Sequence, residues 1–241
     1  MDLYYYLYIA AGFMVLMAVI VGVWAQAKVS STYEKYRQVE SKSGITGAQL
    51  VQRISEGAGI AVQLREIGGN LTDNYDPTSH SVNLSRGNFN SSSVASLGIV
   101  AHEMGHALQH AKDYTPMKVR QAVIKVSNFT SRLLMPLLIA GVLLMIFSLN
   151  PWVGPVVIWA AVGIYFLSFV VSLVTLPVEF NASSRAMKML EGMGIMDNSE
   201  LAMTHEVLRA AALTYVASFL ISLGYFLRFL MIALSIVGRR K

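Results

Sequence analysis

Hydrophobic and polar positions divide the chain into long apolar runs separated by polar, patterned stretches. Leu3 to Trp24 is uncharged and mostly apolar, long enough to cross a bilayer. Its Tyr4, Tyr5, Tyr6, Tyr8 and Trp24 lie toward the ends, where interfacial aromatics belong. Leu133 to Leu149 and Trp152 to Leu176 are two further runs joined at Asn150-Pro151, and so short a connection predicts an antiparallel membrane hairpin. Ala210 to Val237 is the last run and is followed by Arg239, Arg240 and Lys241. The pattern predicts four crossings. Arg228, inside the last run, can snorkel, face the bundle interior or mark where the crossing ends.

The stretches between carry other periods. Val29 to Ser43 is polar, with Tyr33, Tyr36 and Val39 at helical spacing, and predicts a juxtamembrane helix. Thr46 can cap a helix through about Glu56 that Gly57 and Gly59 end. Ile60 to Ile67 alternates as a strand does, Gly68 to Pro77 is turn-rich, and His80 to Ser85 is a second short alternating strand. An exposed edge of such a sheet could take an extended peptide by strand addition; strands that only support the fold are the equal alternative. Met117 to Arg132 is amphipathic, and Pro177 to Arg209 is again polar.

Between the second strand and the amphipathic segment lies Ala101-His102-Glu103-Met104-Gly105-His106-Ala107, an H-E-x-x-H pattern. Asn90 to Ser93 offer N-cap oxygens, and no breaker follows before Tyr114-Thr115-Pro116. Val94, Leu97, Ala101, Met104 and Leu108 recur at three and four residues as one apolar stripe. His102 and His106 then fall together beside that stripe, at the spacing two imidazoles need to share one metal ion. Glu103 is placed to take a proton from a metal-activated water. Two structural histidines on a half-buried helix are the bland alternative, and the glutamate between them favours zinc. His110 continues the spacing, but eight helical residues rise about 12 Å, too far for bonds of about 2 Å to one ion. It reads as a supporting or solvent-facing residue. The better third ligand lies in Pro177-Val178-Glu179-Phe180-Asn181-Ala182-Ser183-Ser184-Arg185-Ala186.

Composition narrows the class. Hydrophobic residues make up 54% and charged residues 14% of 241, which fits a membrane protein rather than a soluble domain. With no cysteine, disulfides are excluded and zinc must be held by His and carboxylate. The net charge of +5 is no sign of nucleic-acid binding, because the basic residues flank apolar spans and form no basic-aromatic stripe. Ala25-Gln26-Ala27 mimics a signal-peptidase site, yet the preceding segment carries Asp2 and no Lys or Arg. Lys28, Lys35, Arg37 and Lys42 follow the span, so an uncleaved anchor is expected.

Several stretches, in order, carry a family resemblance. They are Tyr75-Asp76-Pro77, Val82-Asn83-Leu84-Ser85, Val100 to Ala107, Leu176-Pro177-Val178-Glu179-Phe180-Asn181-Ala182-Ser183, and Ala210 to Ala217. Together they resemble the YugP-like neutral zinc metallopeptidases, integral-membrane proteins of bacteria, and more distantly the HtpX-like membrane proteases. The resemblance implies His102, His106 and Glu179 as ligands of Zn2+ and Glu103 as general base. In the HtpX-like pattern an Asp four residues after the ligand glutamate orients a ligand histidine; that position is Ser183 here, so the role is not carried over. Asn181 stands where the closer family leads one to expect Asp. His205 and Arg185 are candidate oxyanion donors, although the charged surroundings of His205 suit a solvated surface role.

The sequence thus predicts an α+β membrane protein, mainly helical, with about four transmembrane helices and a small zincin-like catalytic unit containing a short sheet. Its organisation reads as an anchor at 3–24, a catalytic region at 25–132, a transmembrane hairpin at 133–176, a helical segment carrying the third ligand at 177–209, and a last span with a basic tail at 210–241. Four crossings put 25–132 and 177–209 on one side, where Glu179 can reach the histidines. That side carries 15 of the 19 basic residues, which predicts a cytoplasmic catalytic region; the resemblance implies that the membrane is a bacterial cell membrane. The predicted function is zinc-dependent hydrolysis of peptide or protein substrates, possible membrane proteins among them, at the lipid bilayer. A non-proteolytic membrane scaffold with a structural zinc is the alternative. An intramembrane protease is a third reading, disfavoured because polar residues closely flank the motif and no later N-P…D-G motif occurs.

Overall fold

In the computed structural model, which describes residues 3–147 and 153–238, the apolar runs are helices and the patterned stretches form a small α+β body. In chain order the elements are α1 (Leu3–Tyr36), α2 (Gly47–Ala58), β1 (Gln63–Ile67), β2 (Asn74–Asp76) and β3 (Ser81–Ser85). There follow α3 (Arg86–Phe89), α4 (Val94–Ala111), α5 (Thr115–Phe147), α6 (Val153–Gly192) and α7 (Asn198–Gly238). The fold is mainly helical α+β. Its described residues divide into two compact units. One comprises Trp24–Lys118 and Pro177–Thr214; the other comprises the described residues within 1–23, 119–176 and 215–241.

The first unit is built around α4. Val94, Leu97, Ala101 and Met104 of its stripe are wholly buried and Leu108 nearly so. Val94, Leu97, Ala101 and Met104 form one core with Leu50, Val51 and Ile54 of α2, Val82 and Leu84 of β3, and Leu190 of α6. Each such side chain taken from water contributes about 1.5–3 kcal/mol, so this core outweighs any single surface contact. The ends of α4 are set locally. The Ser93 hydroxyl accepts from the Ser96 N–H at the start, and Asp113 (φ 55°) takes the left-handed turn just beyond the end.

Two capping boxes frame this core. Thr46 and Gln49 cap α2 reciprocally, and Gly59 closes it in the left-handed conformation. At the head of α7, the Asp197 carboxylate accepts from the N–H groups of Ser199 and Glu200, while the Glu200 carboxylate accepts from the Asp197 N–H. The other oxygen of buried Glu200 accepts the Lys42 N–H at 2.7 Å, which ties α7 to the segment leaving α1.

The sheet has the order β1-β3-β2, with β1 parallel and β2 antiparallel to β3. The central strand β3 is accordingly buried at nearly every position. Strand β2 lies inside the stretch expected to be turns. It is three residues long, too short for alternation to register, and the Asp76 side chain at its end accepts from Thr78 N–H and the Ser79 hydroxyl.

In the second unit, aromatic rings of α6 and α7 stack. Tyr165 lies 4.4 Å from Phe229 and Phe169 lies 5.8 Å from Phe226, each pair near parallel. Arg228 turns toward α1, donating to the Tyr8 hydroxyl with its guanidinium 4.6 Å above the Tyr8 ring. Helices continue through three positions where the sequence suggested a change of segment: α5 through 132–133, α6 through 176–177 despite Pro177, and α7 through 209–210. Among the described residues three helices, α1, α6 and α7, are long and apolar enough to cross a membrane. The fourth expected crossing, Leu133–Leu149, forms the end of α5 and runs beyond the described residues, where the Asn150-Pro151 junction also lies. The basic tail of Arg239 to Lys241 lies outside them as well.

Gly47 sits where a Cβ would lie 2.2 Å from the Asn88 carbonyl oxygen and 3.0 Å from Val100 Cγ2. Gly47→Ala is therefore expected to cost about 1–3 kcal/mol. Gly87→Ala, whose Cβ would meet nothing within 4 Å, should stay within about 0.5 kcal/mol of the parent. Thermal unfolding of the detergent-solubilised protein checks both; equal stability of the two variants would contradict this packing.

Candidate metal centre

His102 and His106 lie one turn apart on the face of α4 that meets α6, their rings 4.8 Å apart and nearly perpendicular. Gly105 lies between them on that face. A Cβ there would fall 2.5 Å from the Ala182 carbonyl oxygen, so the absence of a side chain is what lets the α6 backbone come this close. Gly98, two turns earlier, does the same for α7, where a Cβ would meet Thr204 Cγ2 at 2.8 Å.

That approach brings Glu179 of α6 to the histidines. Its Oε2 lies 3.3 Å from His102 Nε2 and 3.5 Å from His106 Nε2, and its side chain is almost fully buried. Ser183, one turn on, places its hydroxyl 3.2 Å from His102 Nδ1, so the imidazole is bracketed by two residues of one α6 face. The orienting role was not carried over from the more distant family, because Ser183 is a weaker partner than the carboxylate found there, yet it makes the contact. His106 Nδ1 lies 3.0 Å from Gln109 Oε1. Gln109, wholly buried, donates in turn to the Val178 carbonyl at 2.7 Å and to Asn181 Oδ1 at 3.0 Å. Gln109 was missed in the sequence; its position three residues after His106 on the same helical face was the available signal.

The nitrogens of His102 and His106 and a carboxylate oxygen of Glu179 all lie within 4.8 Å of one another. Three acceptors converging in a buried place need a cation or protons between them. Zinc fits: it takes imidazole nitrogen and carboxylate oxygen at about 2.0–2.2 Å, and two tetrahedral ligands at such lengths stand roughly 3.3–3.6 Å apart. The two His–Glu distances match that span. Three protein ligands would also leave a fourth position open.

Glu103 is buried beside them on α4. Burial raises its carboxyl above the usual range, against the pull of His102 and His106, which lower it. For His106, burial works against the charged ring but is outweighed by the Glu179 hydrogen bond and the nearby carboxylates, and the net shift is upward.

The remaining candidates go elsewhere. His110 Nδ1 pairs with the Tyr75 hydroxyl at 2.8 Å, and its ring stacks on His80 at 4.7 Å. Arg185 donates from Nε to Asn181 at 2.7 Å and lies over the Tyr114 ring. His205 lines a groove of about 450 Å³ between α6 and α7 that also reaches Phe180 and Ser183.

An H-E-x-x-H helix meeting a glutamate from a later helix, in a chain with membrane-length apolar helices, has the make-up of a membrane zinc metallopeptidase. Comparison with known proteins gives the same class: residues 11–234 match the family described as "Putative neutral zinc metallopeptidase", and the chain belongs to that family. A "Putative membrane protease YugP" of Bacillus subtilis (strain 168) is 42% identical over 224 residues, covering 92% of this chain and 96% of that protein. No solved structure matches the chain. The resemblance seen in the motifs is thus borne out across nearly the full length.

Gly105→Ala tests the geometry. The added methyl must push α6 from α4, at a cost of about 1–3 kcal/mol. Borne by the approach of Glu179 to the histidines, that cost should weaken zinc on the order of 10–100-fold in chelator competition. Unchanged zinc affinity would show that the close contact at Gly105 does not set the site.

Proposed function

We propose that this chain is a membrane-bound endopeptidase that hydrolyses peptide bonds with zinc held by His102, His106 and Glu179 and with Glu103 as general base. The observation that carries the reading is the convergence of both imidazole Nε2 atoms on Glu179 Oε2, with Glu103 buried in the same turn of α4. Zinc in that place supplies Lewis acidity, which acidifies water and polarises a carbonyl.

The chain's residues then divide the work. Glu103 takes a proton from water as the water oxygen bonds to the scissile carbonyl carbon. It returns that proton to the amine nitrogen as the C–N bond breaks, so the carboxylate is regenerated. His102 and Glu179 gain orientation from their neighbours, Ser183 on one and the α4–α6 contact on the other.

Family membership and the membrane-protease relative support this reading over a scaffold with a structural zinc. We place both metal-bearing segments, 25–132 and 177–209, on the cytoplasmic side, on the distribution of basic residues. Peptide or protein chains at the bilayer surface are the proposed substrates.

Substitutions separate catalysis from metal holding. Glu103→Gln keeps shape and zinc but cannot accept a proton, so cleavage of a peptide by the purified protein should fall about 10²–10⁴-fold. His102→Ala, His106→Ala and Glu179→Ala should each lower bound zinc in metal analysis, whereas His110→Ala should not. Full cleavage by Glu103→Gln with zinc bound would overturn the base assignment, whereas a zinc-loaded parent that cleaves nothing, with no loss of cellular function in Glu103→Gln, would favour the scaffold. For topology, reporters placed near Ser43 and near Asn198 should both read cytoplasmic; opposite sides would deny Glu179 to the site.

A further inference from the structure

We propose that Arg185, Asn181 and Gln109 form a hydrogen-bond relay that fixes the tautomer of His106, so that Nε2 presents its lone pair to the metal and Nδ1 carries the proton. The proposal rests on the zinc reading of the site and assigns roles to three positioning residues of this chain.

The argument is one of donors and acceptors. Arginine has no acceptor, so the Asn181 atom 2.7 Å from Arg185 Nε must be the amide oxygen. That oxygen also lies 3.0 Å from the Gln109 side chain, and the Val178 carbonyl oxygen lies 2.7 Å from it. Both neighbours can only accept there, so the Gln109 NH2 group must face them, and its two N–H bonds are used up. What Gln109 has left for His106 Nδ1, 3.0 Å away, is its carbonyl oxygen. His106 must then donate from Nδ1, and Nε2 is left as the acceptor that points toward Glu179.

No step of this chain can be reversed singly. Flipping the Gln109 amide would set its oxygen against the Val178 carbonyl in a wholly buried place, which leaves acceptors unpaired. Flipping Asn181 would aim N–H at Arg185 Nε. Leucine at 109 supplies neither the acceptor nor the donors, and asparagine is a methylene too short to reach both helices. Because Val178 precedes Glu179, Gln109 also joins the helix of one metal ligand to the backbone beside another.

Position 181 gives the cleanest test, since Asp keeps an oxygen for both Arg185 and Gln109 whereas Leu keeps none. Zinc affinity is measured by chelator competition on the full-length protein in detergent, for the parent and for Asn181→Asp, Asn181→Leu, Gln109→Leu and His106→Ala. The relay predicts that Asn181→Asp binds zinc within about threefold of the parent, while Asn181→Leu and Gln109→Leu bind about 10–100-fold more weakly. In 15N spectra of histidine-labelled, zinc-loaded parent protein, the His106 N–H should sit on Nδ1. An N–H on Nε2, or parent-like affinity in both Leu variants while His106→Ala loses zinc, would overturn the relay. Equal loss in Asn181→Asp and Asn181→Leu would also overturn it. If His106→Ala itself binds zinc as the parent does, the zinc reading fails and the relay with it.

Discussion

The near-contact of α4 and α6 at Gly105 and Ala182 is the constraint on which the candidate site depends. Two histidines a turn apart need only a helix, and many helices offer that. A carboxylate that is 73 residues beyond His106 in the chain reaches them only if two backbones meet at a distance no side chain permits. Gly105 supplies that vacancy at the right position in the turn, and Ala182, three residues past Glu179, presents only backbone and a methyl group. The same economy recurs at Gly98 against Thr204, so α4 is narrow on the side of α6 and α7 and broad on the side of its apolar stripe.

Such closeness has an electrostatic cost. A buried carboxylate and two imidazoles with converging lone pairs are poorly served by a dry interior unless positive charge joins them. The surroundings divide that requirement. Ser183 and Gln109 engage the outer ring nitrogens, and the inner nitrogens and Glu179 face one another. Glu103 sits in the same turn without belonging to the cluster of three, which is what separates a group that holds a metal from one that moves a proton.

Much of this was legible in the sequence, for identifiable reasons. Helix α4 could be read because its stripe, its serine cap and its motif all specify one period. The cap at Thr46 and the glycine stop after Glu56 were likewise local signals. Strand β2 was not legible, since three residues cannot display alternation. Continuity of α6 through Pro177 was hidden by a change from apolar to polar sequence that marks a change of surroundings, not of backbone. The tie between Gln109 and α6 was invisible because glutamine has no motif of its own; only the fold reveals which acceptors it meets. Ser183 was discounted by chemical analogy and recovered by position, since residues 179 and 183 share a helical face whatever their side chains are.

The central claim is that one zinc ion is held by two imidazoles and one carboxylate from α4 and α6. X-ray absorption at the zinc edge of the purified, zinc-loaded protein tests it most directly. The account predicts one zinc per chain in a shell of nitrogen and oxygen at about 2.0–2.2 Å, with the outer-shell scattering of two imidazoles. A shell with one imidazole or none at full zinc occupancy would contradict it.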